Sequence, residues 1–423
     1  MRLPVLALLF LAAPVAAQVS DLAPLRALLL PLRTTAGSNT ERDAGPELTP
    51  VKDVLRRWVE ARLPPAQRPG PDGTLIEPDA DDLAALAARL TAELDVAGLT
   101  CGRFGEPGDR CGADRDSERG FLAPVRLGLL GGGGRYLLVV TGVGVRCGFD
   151  ESAYVYEQQP DHRWRLLLAN EQHRYDGGEF APQNFLAIDG APAESAGGDT
   201  APPPLVVMLS FAPWCSSNWN ALTTRLWRTS RTDPTPAPLL HRIDGLYLGG
   251  EPIAAERLTG TDLLIQYSAR SIDEGRLVRP HVARYVIGHG DRLTRTDPIA
   301  LSPADFIDEW LTLPWAQARR WLDARANATA LARQHQGGRI DTLFGEVGAA
   351  TRCRADPTRW QVRFVEQAEG KRDRPPRWYQ VRWSAPYRFR MVAAGTAPFP
   401  GCDEKVASPD PVGTLFPVGG KVP

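Results

Sequence analysis

Apolar residues recur along this chain with two different periods, and the change between them divides it. From Leu22 to Leu94 the spacing is helical. Leu22, Leu25, Leu28, Leu29 and Leu32 share one helix face, with Pro24 near its start and Pro31 at its end. Val51, Val54, Leu55 and Trp58 form a second stripe, preceded by Thr49 as N-cap and Pro50 at the first helical position. Leu83, Leu86, Leu90 and Leu94 form a third, and Gly98 is placed to end that helix. The Pro-, Gly- and Asp-rich residues 64–80 between them predict a linker or long loop.

From about Ala123 the pattern becomes extended. Val125, Leu127 and Leu129 alternate, four glycines (Gly131, Gly132, Gly133, Gly134) supply a turn, and RYLLVV resumes as a strand. A loose repeat follows. Buried-type strands at 137–140, 205–209 and 263–267 are each followed by an alternating strand, at 153–156, 222–227 and 282–287. Each then turns into a further strand, at 164–168, 239–243 and 293–299; Asp161 and His162 make the first of these turns. This predicts a mainly β protein of antiparallel meander repeats, propeller-like or a sandwich, preceded by an N-terminal helical region. Residues 189–204 read as a flexible surface loop. A Trp-rich helix follows, with Ser302 as cap, Pro303 in its first turn, Asp305 at the capping-box acid, and Phe306, Trp310 and Leu313 inward. The last strands alternate Trp360, Val362, Phe364, Tyr387, Phe389 and Met391 with arginines, giving an aromatic and a basic face.

The expected organisation is therefore a signal peptide over 1–17, a helical region over 18–115 and a β-meander core over 116–300. A Trp-rich helical connector over 301–337, a β region over 338–408 and a flexible tail over 409–423 complete it. The signal reading rests on Arg2, the apolar run LPVLALLFLAA and small residues up to Ala17. No later apolar run is long enough to span a bilayer, so a periplasmic or secreted protein without a transmembrane segment is expected.

Composition adds little except through the cysteines and the lysines. The formal net charge of -1 and export both argue against nucleic acid as a partner. Lys52, Lys371, Lys405 and Lys421 are the only lysines among 49 basic residues. The six cysteines, Cys101, Cys111, Cys147, Cys215, Cys353 and Cys402, read as disulfides in an oxidising compartment. Pairing them in order is the simplest of many connectivities. None stands at CxxC spacing and no HExxH occurs, so neither a metal nor a cofactor is expected.

The chemistry-bearing candidates are few. Asp150 and Glu151 follow Cys147, and a hydrolase acting on an envelope polymer through paired carboxylates would start from one of them. Asp308 and Glu309 form a second acidic pair, and both pairs default to surface carboxylates. His281 defaults to a surface histidine. Trp214 and Trp219 bracket Cys215 among serines and asparagines, suited to stacking on a sugar ring or to a core. Arg382, Arg388 and Arg390 lie on the basic face of the last strands, where 351–390 holds eleven basic against four acidic residues. That face suits an anionic glycan, a lipid headgroup or an acidic protein.

Two resemblances enter on these residues. LVVMLSFAPWCSS resembles the active-site strand of thioredoxin-like proteins, which implies a helix starting at Cys215 and a reactive thiol. The resolving position is Asn218, so half of that chemistry is missing. GVGVRCGFDESAYVYE, PWCSSNW, TRTDPIALSPADFIDEWL and SAPYRFRMV together resemble secreted bacterial proteins without an assigned function. That resemblance implies an exported, β-rich protein and carries over no activity or site residue. The leading expectation is a non-catalytic envelope or extracellular protein that binds a glycan or a protein partner. The hydrolase and the redox protein are its alternatives.

Overall fold

The computed structural model describes residues 21–34, 45–66, 68–69, 75–76, 78–102, 110–111, 119–130, 135–145, 148–173, 184–191, 203–214, 217–248, 254–259, 262–276, 278–287, 293–295, 300–335, 345–367, 374–385 and 388–406. They fall into two compact units. The first holds Met1–Ser217 with Leu226–Pro238, and the second holds Asn218–Arg225 with Leu239–Val422. The architecture is mainly antiparallel β with N-terminal helices, and among the described residues no sheet closes into a barrel.

The first unit opens with α1 (Ala23–Thr34), α2 (Gly45–Glu60), the short ladder β1 (Arg68–Pro69) and β2 (Leu75–Ile76), and α3 (Ala80–Val96). The expected leucine stripes are the buried faces: Leu25 and Leu29 on α1, and Leu83, Leu86, Leu90 and Leu94 on α3. Asp79 caps α3 by accepting from the Asp82 backbone N–H at 2.8 Å, and Gly98 takes φ 71° just past its end. From α1, Arg26 donates to the Ala97 carbonyl and Arg33 to the Gly98 carbonyl at 3.2 Å, satisfying chain ends that α3 leaves open. One boundary differs from expectation. α2 begins at Gly45, so Thr49 and Pro50 stand inside it instead of at its start. Leu48 is fully buried, and packing that extra turn outweighs the one backbone bond that Pro50 cannot make.

A four-stranded meander follows: β3 (Arg126–Leu130), β4 (Tyr136–Val145), β5 (Gly148–Gln158) and β6 (Trp164–Asn170), paired in that order. All of β4 is buried because both of its faces are covered. Leu137 and Val139 pack with the helices, while Leu138 and Val140 pack with Phe185 of β7 (Asn184–Ala191) and Val206 and Met208 of β8 (Leu205–Trp214). An apolar run without alternation is the sequence mark of such a doubly covered strand. β7 and β8 pair antiparallel, and β7 runs into the segment 189–204 that was expected to be a loop.

Glu157 is the polar anchor of this sheet. It is 2% exposed, meets Arg135 at 2.9 Å, and takes both Nε and Nη2 of Arg231, at 2.9 and 2.8 Å. Burial pushes its carboxyl up, but the hydrogen bonds and charges of Arg231 and Arg135 outweigh that and hold it below the ordinary glutamate value. A carboxyl lowered in the fold contributes stability above its unfolded pKa and loses it as the pH falls through the folded value. Urea titrations across the acid range are expected to show that loss in the wild type, and Glu157→Gln is expected to flatten it. An unchanged acid limb in the variant would refute the assignment.

The second unit repeats the meander. Its strands are β10 (Leu240–Leu248), β11 (Ala254–Thr259), β12 (Asp262–Arg270), β13 (Val278–Ile287) and β14 (Leu293–Arg295). β12 pairs with β13, β13 with β14, and both β10 and β11 pair with β12. β9 (Ser217–Arg228) supplies residues to both units. The three predicted repeats thus fall on β4–β6, β8–β10 and β12–β14. An extra antiparallel strand, β3, β7 or β11, precedes the first strand of each.

Next come α4 (Pro303–Thr312), α5 (Trp315–Ala318), a 3-10 turn (Arg319–Trp321) and α6 (Ala328–Gln334). Ser302 caps α4 as expected, accepting from the Asp305 N–H at 3.1 Å and donating to its carboxylate at 2.8 Å. The last sheet is β15 (Gly345–Val347), β16 (Thr351–Cys353), β17 (Asp356–Glu366), β18 (Arg377–Ala385) and β19 (Arg388–Gly395). Phe306 and Trp310 pack on its aromatic face, against Trp360, Val362, Tyr379 and Phe389. Gly345 is needed where it stands, since a Cβ there would lie 2.0 Å from the Val365 carbonyl oxygen.

Disulfides join Cys101 to Cys111 and Cys353 to Cys402, two of the pairs expected from chain order. The third expected pair, Cys147 with Cys215, lies outside the described residues, as do the segment 1–20, the glycines 131–134 and the tail after 406. Among the described residues no helix is long and apolar enough to cross a membrane.

Candidate functional site

The polar residues of the first unit converge on one face of β5. Strand alternation sends Asp150, Ser152, Tyr154 and Tyr156 to the helix side, while Ala153 and Val155 go to the β7–β8 side. On α2, Lys52, Arg56 and Glu60 follow one another at i, i+4 and i+8 and so share a stripe. Lys52 meets Asp150 at 2.5 Å, with side chains 1% and 0% exposed, and also donates to the Gln172 carbonyl at 2.5 Å. Tyr154 donates to Glu171 at 2.7 Å. Tyr156 donates to Glu60 Oε1 at 2.9 Å, and Arg56 reaches the same oxygen at 2.9 Å. Burial, then the adjoining Glu171 and Glu60, push both phenols far above the ordinary tyrosine value. They therefore stay protonated and act as hydrogen-bond donors.

At the Glu60 end this polar face opens into a cleft of about 600 Å³. Its apolar walls are Trp164, Tyr156, Pro64 and Pro65, and its polar groups are Glu60, Asp161, His162 and Arg163. Trp164 donates Nε1–H to the Pro64 carbonyl at 2.9 Å, which fixes the ring against the proline wall. His162 sits in the β5–β6 turn at φ 62°, a strained position for a residue with a Cβ. Two backbone bonds hold it there: its N–H donates to the Gln159 carbonyl, and the Ala66 N–H donates to the His162 carbonyl, each at 2.9 Å. The turn expected at Asp161 and His162 is thus present, and both residues line the cleft. The cleft is open to solvent, with polar and apolar surface in about equal share, since Asp161 and Arg163 on its rim are exposed.

The residues singled out from sequence are distributed differently. Asp150 and Glu151 are neighbours on β5 and point to opposite faces. Glu151 accepts from Arg126 at 2.7 Å and from the Phe185 N–H at 2.7 Å, and burial raises its pKa against the pull of Arg126. The two carboxylates therefore do not face each other across a cleft. Trp214 ends β8 and Trp219 lies in β9, and their side chains lie outside what the structure describes. Arg382 pairs with Asp323 at 2.7 Å, Arg390 donates to the Arg320 carbonyl at 2.7 Å, and Arg388 is exposed. Part of the face opposite the aromatic one is covered: Gln361 and Gln380 are buried there, and Gln361 donates to the Cys402 carbonyl.

Two expectations are corrected. Asp150, Asp308 and Glu309 are buried and not surface carboxylates, nor is His281 a surface histidine. Asp308 is buried between Arg279 Nε at 2.8 Å, Ser271 Oγ at 2.6 Å and the Ile272 N–H at 3.1 Å. Glu309 lies 3.1 Å from His281 Nδ1 and 3.9 Å from Arg279. Burial raises the Asp308 pKa, and the guanidinium of Arg279 works against it. The helix that the thioredoxin resemblance requires after Cys215 is also absent, because Ser217–Arg228 is strand β9. Among the described residues, no group of three His, Cys, Asp or Glu side chains could hold a metal ion.

No protein-family model matches this chain, and no curated protein matches it. Among solved structures, it is similar to a protein from the complex of BT0996 with RGII, at 9% identity over 69% of this chain and 90% of that one. The TM-score is 0.22, too low for that likeness to carry an argument about fold or ligand.

The cleft residues carried no mark as a site in the sequence. Pro64 and Pro65 read as linker, and Trp164 read only as the first residue of a strand. The signal that could have found them is a Trp leaving a tight turn that itself holds His and Asp.

Proposed function

We propose that this is an exported, non-catalytic binding protein whose first unit takes an uncharged, hydroxyl-rich sugar ring into the Trp164 cleft. The observation that carries the reading is the Trp164 ring, fixed by its bond to Pro64 beside the Glu60–Tyr156 pair, within a cleft of about 600 Å³. A sugar ring offers an apolar C–H face to an indole and hydroxyl donors to carboxylates. Asp161 and Glu60 on the wall, set against Arg163 there and Arg56 on Glu60, leave no excess of positive charge to select an anionic ligand. Two features support binding over hydrolysis. Glu60 is held by Arg56 and Tyr156, and Asp161 is turned back on its own chain, accepting from the Arg163 N–H at 3.2 Å. Neither is poised as a free acid or base. The two disulfides support an oxidising compartment, and the apolar segment before Gln18 supports export.

The test is a panel of neutral glycans, followed by titration of tryptophan fluorescence. At least one glycan is expected to bind, and Trp164→Ala is expected to weaken it about tenfold or more with the fold intact by circular dichroism. Binding unaffected by Trp164→Ala would move the site elsewhere, and a panel without a binder would overturn the reading.

A further inference from the structure

Positive charge in the second unit gathers on one surface. Cross-strand register sets Arg359 opposite Arg382 and Arg382 opposite Arg390, so the three lie side by side on the face of the last sheet opposite the aromatic one. Like charges set directly opposite one another repel. Asp356 meets Arg359 at 3.0 Å, and Asp323 meets Arg382 at 2.7 Å. Arg390 donates to the Arg320 carbonyl at 2.7 Å, which holds the 3-10 turn Arg319–Trp321 beside β19. That turn and its flanks add charge of the same sign. Between Trp315 and His335 stand Arg319, Arg320, Arg325 and Arg333 against one acid, Asp323, already engaged by Arg382. Arg319, Arg320 and Arg388 are exposed, and none of them meets an acidic side chain among the described residues. Next to them lies a shallow hollow of about 530 Å³, walled by Trp315, Leu322 and Ala332, with Arg319, Arg320 and Thr329 as its polar groups. Trp315 is half-buried, and its ring stands edge-on to that of Trp310, with centroids 6.3 Å apart.

We propose that this surface binds an anionic polysaccharide. Carboxylates or sulfates of the polymer meet Arg319, Arg320 and Arg388, and one of its sugar rings lies in the hollow against Trp315. Guanidinium groups engage such anions through charge-assisted hydrogen bonds, often in pairs, and an indole takes the C–H face of a sugar. Charge selects the occupant, because three exposed arginines here face solvent without an acid beside them. A surface that enters a bilayer or seats a protein presents apolar anchors. The exposed large apolar residues among the described ones are Leu30, Val96 and Leu239, and none belongs to this surface. The site is independent of the Trp164 cleft, which belongs to the first unit.

The test titrates the full chain with polygalacturonate, dextran sulfate and uncharged dextran, at low and at raised salt. At least one of the two polyanions is expected to bind, more weakly as salt rises, and comparing them tells carboxylate from sulfate. Arg319→Gln with Arg320→Gln is expected to weaken that binding about fivefold, and adding Arg388→Gln about tenfold or more in all. These side chains are exposed, so the fold is expected to stay intact by circular dichroism. The control removes two exposed charges from the first unit, Arg89→Gln with Arg165→Gln, and is expected to leave binding unchanged. An equal loss in that control would mean that the polymer follows overall charge, and would overturn the site. Loss of polyanion binding in Trp164→Ala would move it to the cleft and overturn the site as well. Capture of phosphatidylglycerol vesicles through the same arginines, with neither polyanion bound, would replace the polysaccharide by a membrane surface. If no polyanion binds at low salt, the proposal fails.

Discussion

Replacing Lys52 with methionine is expected to destabilise the first unit by about 3–5 kcal/mol, read as a lower urea midpoint with an unchanged slope. The magnitude follows from burial. Lys52 and Asp150 are 1% and 0% exposed and 2.5 Å apart, so removing the cation takes its charge from beside a carboxylate that water cannot reach. The Gln172 carbonyl loses the Lys52 donor in the same step. Methionine fits the aliphatic stem of lysine, which keeps the loss electrostatic instead of steric. The companion variant, Lys52→Met with Asp150→Leu, removes both charges and is expected to recover most of the loss, because a buried pair contributes little over a well-packed apolar one. If Lys52→Met alone costs under about 1 kcal/mol, the pair is hydrated in solution and this account of it fails.

Asp308→Ala should have an effect of similar size in the second unit. Asp308 holds Arg279 at 2.8 Å, accepts from Ser271 at 2.6 Å and takes the Ile272 N–H at 3.1 Å. Alanine would leave a buried guanidinium and two buried donors without that acceptor, a loss of about 3–5 kcal/mol. Asp308→Asn keeps an acceptor oxygen for Ser271 and Ile272 while removing the charge, so it is expected to fall between alanine and wild type. Equal urea midpoints for the two variants would mean that the ion pair with Arg279 carries the whole effect. Wild-type stability in both would remove Asp308 from the fold's supports.

The parts of the molecule that a local pattern determines were readable from the sequence. The leucine stripe of α3, the doubly buried run of β4, the cap at Ser302 and the three meanders each follow from residues within a turn or a strand of one another. The boundary of α2 was not, because Leu48 decides it by packing and no cap marks it. β7 was partly hidden by a Gly- and Ala-rich end, which contributes little pattern of its own. The polar interior was not readable at all, for one reason: its partners are distant along the chain. Lys52 and Asp150, Arg279 and Asp308, and Trp164 and Pro64 are brought together by the helix-on-sheet packing of each unit. Read locally, each is an ordinary surface charge or strand residue. The cleft is of the same kind, assembled from the end of α2, the prolines after it and the β5–β6 turn.

The choice of lysine at position 52 has a chemical consequence for the first unit. Across Met1–Ser217 and Leu226–Pro238 it is the one primary amine on a side chain, and it is enclosed against Asp150 and Gln172. Amine-directed reagents, such as acylating labels or sugars that glycate, therefore find no side-chain target there while the unit stays closed. Lys405 of the second unit is exposed and reacts throughout. Acylation at Lys52 is thus a timer for the opening of the first unit alone, built into the native sequence without an added probe.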